Sequence, residues 1–120
     1  MVEVFVLGGG TPTPTEFRLG SAHSLRIGGE ALMFGCGPAS THKLVKAGLY
    51  PTQMDNLFFT HHHFDHNIDY PCFLLCRWDQ AAGHGFELNV YGPKLTLERL
   101  PLPNVSPKKR FGKVPKVRIS

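Results

Sequence analysis

The segment that most constrains this chain is Thr60-His61-His62-His63-Phe64-Asp65-His66, directly after the apolar run Asn56-Leu57-Phe58-Phe59. A short apolar run bounded by polar residues reads as a buried strand, so residues 56–60 are predicted to be β and the histidines to leave the sheet on a loop. Side chains alternate along extended backbone, which turns His61 and His63 one way and His62 and Phe64 the other. Two imidazoles on one side can share a cation, and Asp65 and His66, at the following turn, diverge toward a second one. Imidazole and carboxylate suit Zn2+, and carboxylate also admits Mn2+ or Fe2+. The pattern predicts a metal site of His61, His63, Asp65 and His66, with zinc first and manganese or iron as alternatives. His62 is a neighbour of that site, not a ligand. The plain alternative, a polar loop whose histidines meet solvent, fits a lone His better than four donors in this spacing.

With 120 residues and 42% hydrophobic content, the chain can build one modest core. Its formal charge of +4 is unevenly distributed. Residues 1–100 carry seven Lys or Arg against all nine acids, and residues 101–120 carry six Lys or Arg and no acid. Basicity therefore belongs to the end of the chain, where Pro101, Pro103, Pro107 and Pro115 also interrupt any periodicity. This divides the chain into a folded part, 1–100, and a basic Pro/Lys-rich tail, 101–120, expected to be disordered. Charge alone is a weak argument for RNA contact by that tail, since no aromatic beyond Phe111 is interleaved with it. Cys36, Cys72 and Cys76 form neither an even framework nor a C-x-x-C pair, so a reduced, cytoplasmic setting is expected. No apolar stretch approaches the roughly 20 residues of a membrane span, so no membrane partner is expected.

Residues 2–7 read as a strand stopping at Gly8-Gly9-Gly10, with Thr11-Pro12-Thr13-Pro14 extending the loop. No Gly-Lys-Ser/Thr follows, which excludes a nucleotide P-loop and leaves the loop to border the metal cleft. Residues 21–27 and 30–34 around Gly28-Gly29 predict a hairpin. Ser40 or Thr41 is expected to cap a helix running to Ala47, with Gly48 as its stop. Pro71 is acceptable in a first helical turn, so residues 72–78 predict a helix with Phe73 and Trp78 in the core. Residues 88–91 predict a strand and 94–100 a short helix. This order implies α/β layers with helices against a sheet.

The strand closing in Gly8-Gly9-Gly10-Thr11-Pro12, the hairpin ending in Gly35-Cys36-Gly37-Pro38 and the run from Thr60 to His66 together resemble the metallo-β-lactamase superfamily. Within it they resemble the ribonuclease Z-like hydrolases over about residues 1–95. The resemblance implies an α/β fold, the N-terminal half of an αββα sandwich, with a mixed sheet and helices on one face. It implies that His61 and His63 hold one metal, that Asp65 and His66 hold another, and that Asp65 accepts the proton of an attacking water. Phosphodiester or RNA substrates, including tRNA precursors, follow from the same likeness. Arylsulfatase-like and thioesterase-like hydrolases are the nearest alternatives within the superfamily.

The relatives carry Asp-Cys-Gly where this chain has Gly35-Cys36-Gly37, so a carboxylate that orients a ligating histidine is missing. They also take a His, a bridging Asp and a last His from a second half of the fold. Among the remaining histidines, His23, His42 and His84 lie in no ligand motif and are expected at the surface. The chain alone is therefore expected to be weakly active or a metal-binding fragment without catalysis. One sheet face is expected to be exposed, and a homo-oligomer would cover it.

Overall fold

A computed structural model describes residues 1–80, 87–94 and 117–119. Six strands form one mixed sheet in chain order: β1 (Val2–Gly8), β2 (Ala22–Ile27), β3 (Glu30–Phe34), β4 (Met54–Phe58), β5 (Leu88–Tyr91) and β6 (Val117–Ile119). β1, β2 and β3 are antiparallel neighbours, as a hairpin demands. β3, β4, β5 and β6 run parallel, and the intervening chain supplies the crossovers that parallel pairing requires. The expected α/β architecture with a mixed sheet is therefore present. β4 starts two residues earlier than its apolar run suggests, because a short 3-10 turn, Pro51–Gln53, delivers the chain directly into the sheet.

The pairing register sorts side chains into two faces. Ser24, Met33, Leu57 and Val90 lie side by side across β2 to β5, and all four are fully buried. Helices α1 (Ser40–Lys46) and α3 (Tyr70–Gln80) cover this face, with Leu44, Leu49, Tyr70 and Phe73 joining the same core. The neighbouring row, Val6, His23, Phe34, Phe58 and Tyr91, belongs to the opposite face. There Phe34, Phe58 and Tyr91 stack with centroids 5.0 and 4.7 Å apart, whereas Val2, Val4 and Val6 are 60–68% exposed. No described helix covers these valines, so the expected bare sheet face is observed at β1.

Two sequence expectations need correction. Trp78 is only half-buried; the inward position one turn beyond Phe73 belongs to Arg77, which is 2% exposed. Its Nη1 donates to the carbonyls of Pro51 and Met54, each at 2.7 Å, which ties α3 to the start of β4. Neither Ser40 nor Thr41 caps α1. The cap position is Ala39, with φ 57°, and the free amide of Thr41 donates to the Asp69 carboxylate at 2.7 Å. Residues 117–119 form β6, pairing parallel with β5. The predicted helix beyond Lys94, the segment 101–116 and His84 lie outside the described residues. None of the described helices is long and apolar enough to cross a membrane.

Candidate metal centre

The histidine segment begins where β4 ends. The Phe59 amide still donates to the Tyr91 carbonyl at 2.8 Å, and the chain then leaves the sheet to enter α2 (Phe64–Asn67). His63 is the extended residue ahead of that helix, and its carbonyl accepts from the His66 amide at 2.9 Å. This single turn folds the motif back on itself. The His61 ring lies 4.7 Å from that of His63 and 4.1 Å from that of His66, centre to centre. Asp65 Oδ2 lies 3.3 Å from His66 Nε2. Asp65 and His66, expected to diverge, are thus in contact, and three imidazoles and one carboxylate form a single cluster.

His61 Nδ1 is bonded to Thr60 Oγ1 at 2.9 Å, which orients the ring and leaves Nε2 for another partner. Burial holds the His66 imidazole below its ordinary pKa, against the pull of Asp65 and with help from His61 and His63. The neutral ring thereby favoured is the form that ligates metals. His62 turns away, its ring 5.2 Å from Phe59 and its Nδ1 3.4 Å from the amide nitrogen of the buried Asn67. Among the described residues, no three His, Cys, Asp or Glu donors converge on one point. The donor chemistry nevertheless fits a zinc-class cation, since imidazoles and a carboxylate are gathered on one short segment.

Backbone packing holds this segment in place. The Cys36 amide donates to the His66 carbonyl at 2.6 Å, and the Asp69 amide donates to the Cys36 carbonyl at 3.0 Å. Gly35 has φ 73°, a backbone region that glycine enters without penalty. The Asp69 carboxylate also accepts from Ser40 Oγ at 3.2 Å, so one side chain joins the segment to α1. At Gly37 a Cβ would run into the Asp65 carbonyl oxygen and come within 2.6 Å of that of Ser21. At Gly20 it would meet Pro38 and lie 3.1 Å from the same Asp65 oxygen. Three loops therefore converge beneath Asp65 only because these residues lack side chains. We expect Gly37→Ala to destabilise the chain by about 1–3 kcal/mol, measured by urea unfolding, because two backbone segments must separate. An unchanged midpoint would show that the junction has slack.

A cleft of about 630 Å³ opens beside the cluster, lined by Pro12, Pro38, His63, Phe64, Asp65 and Ile68 among others. The Gly-Thr-Pro loop does border it, through Pro12. Asp69 and Gly20 carry no motif in the sequence, and Gly37 enters it only as part of Gly35-Cys36-Gly37-Pro38. The one available signal was Asp69 immediately before Tyr70-Pro71, which marks a helix start; its carbonyl does begin α3, accepting from Phe73 at 2.9 Å, while its side chain serves α1.

Solved structures share this fold. The metallo-beta-lactamase fold protein YhfI from Bacillus subtilis superposes with a TM-score of 0.77 at 21% identity, over 99% of this chain and 46% of that one. The short form of human tRNase Z gives a TM-score of 0.68 at 31% identity, over 82% of this chain and 37% of that one. Among curated sequences, the Ribonuclease Z of Thermococcus kodakarensis is 36% identical over 100 residues, 82% of this chain and 31% of the relative. No protein-family model matches the chain. The fold and the histidine cluster thus define a partial metallo-β-lactamase domain. Within that superfamily the chain belongs to the ribonuclease Z-like branch. It spans about a third of the length of the curated relatives it matches.

Proposed function

We propose that this chain carries the metal-binding part of a ribonuclease Z-like phosphodiester hydrolase acting on RNA. The observation that carries this reading is the gathering of His61, His63, Asp65 and His66 on one turn, with His63 and Asp65 lining a cleft, in a chain 36% identical to a ribonuclease Z. These four residues would hold the metal, zinc as first choice. When bound, such a cation supplies an acidified water and neutralises charge on phosphate oxygens. Asp65 would accept that water's proton, a reading supported by its 3.3 Å contact with His66 within the donor cluster. Thr60 orients the ring of His61, and Pro12 and Pro38 line the cleft. The exposed valines of β1 would be covered by a second copy, making a homo-oligomer of the working form.

The test is zinc per chain by mass spectrometry beside light scattering, followed by assay on bis(p-nitrophenyl) phosphate and precursor tRNA. The expected result is bound zinc and slow cleavage of both substrates that stops on chelation. No turnover above the metal-free chain overturns the reading. A metal-binding chain without catalysis is the second reading, favoured by the chain spanning only 31–34% of the length of its curated relatives. Stoichiometric zinc without turnover would establish it.

A further inference from the structure

The cleft has two kinds of wall. His62, His63 and Asp65 contribute its polar lining, whereas Pro12, Pro38, Phe64 and Ile68 contribute its apolar lining. Phe64 and Ile68 are four residues apart along α2 and its final turn, a spacing that places side chains one above the other. They are 78% and 58% exposed, while Asn67 of the same helix is buried. A four-residue helix thus turns its polar Asn inward and holds its two largest apolar side chains over the cleft. The two prolines have fixed φ and few rotamers, so the facing wall is rigid before anything binds.

An anionic group attached to a flat ring matches this division. Under the phosphodiester reading the anion would sit at the cation that the histidine segment would hold, and the ring would lie against Phe64. Every phosphodiester of RNA carries a nucleobase in that relation to its phosphate, and base-on-aromatic stacking is tolerant of which base it is. We propose that Phe64, supported by Pro12, Pro38 and Ile68, forms a stacking shelf for the nucleobase beside the scissile phosphate. This rests on the phosphodiester reading and adds what distinguishes a nucleotide from an alkyl diester at the same centre.

The test is titration of the 120-residue chain, in saturating zinc, by adenosine 5′-monophosphate and by ribose 5-phosphate, followed by ligand-observed NMR. The base should tighten binding about tenfold. Phe64→Ala should erase that preference and Phe64→Tyr should keep it. Because Phe64 is exposed, neither substitution disturbs the fold, which far-UV circular dichroism verifies. Equal affinity for the two ligands, or a preference undiminished in Phe64→Ala, overturns the shelf. A base preference in a chain that shows no turnover with zinc leaves the shelf standing and removes the hydrolase reading. Turnover without base preference does the reverse.

Discussion

Replacing His63 by alanine lowers zinc bound per chain and reduces phosphodiester cleavage by at least about a hundredfold, an effect above that usually seen for residues merely supporting a ligand. The imidazole lies 4.7 Å from that of His61 and lines the cleft beside Asp65, so its loss removes a donor where few are present. The fold should not register the change. His63 is exposed and precedes α2 without making a side-chain cap, so alanine removes neither a buried contact nor a helix-end hydrogen bond. Zinc content, turnover at saturating zinc and the urea midpoint, measured on one preparation, separate the two effects. Full activity with a normal midpoint would remove His63 from the site.

Arg77→Met acts in the opposite sense, with a large effect on stability. The guanidinium is buried, donates to two carbonyls at 2.7 Å and lies 3.4 Å from Asp55 Oδ1. Burial lowers its pKa and Asp55 opposes that shift, so the group stays charged in a poorly solvated place. Methionine replaces much of the stem volume but leaves the carbonyls of Pro51 and Met54 without that donor. Breaking a buried charged network of this kind costs about 3–5 kcal/mol, a large share of the 5–15 kcal/mol typical of a domain. Urea unfolding should show the shift, with Arg77→Lys between methionine and wild type because an ammonium lacks the planar fork. A loss below about 1 kcal/mol would mean that the turn and β4 are held mainly by packing.

Much of the fold is legible because local chemistry and tertiary structure agree. β1, the hairpin and β5 fall where β-branched and aromatic runs meet Gly turns. Gly48, with φ 77°, ends α1, and the Leu49 amide closes it on the Leu44 carbonyl at 3.1 Å. The disagreements occur where a residue's partner is remote in sequence. Asp69 caps a helix 28 residues upstream, and Arg77 serves carbonyls 23 and 26 residues away. Neither position has a local signature, since an acid before one helix and a cation inside another read as a helix start and a solvated face.

By itself the sequence singled out His61, His63, Asp65 and His66 as candidate donors, their place after a buried strand and the alternation that sends His62 away from His61 and His63. Those follow from residue identity and the two-residue period of extended chain, which need no distant partner. Only the tertiary structure decided that His66 folds back to within 4.1 Å of His61, and that Gly20 and Gly37 admit the Asp65 carbonyl into a three-loop junction. It alone left Phe64 bare above the cleft. These are consequences of volume and of backbone groups seeking partners across the sheet, quantities that no window along the chain contains.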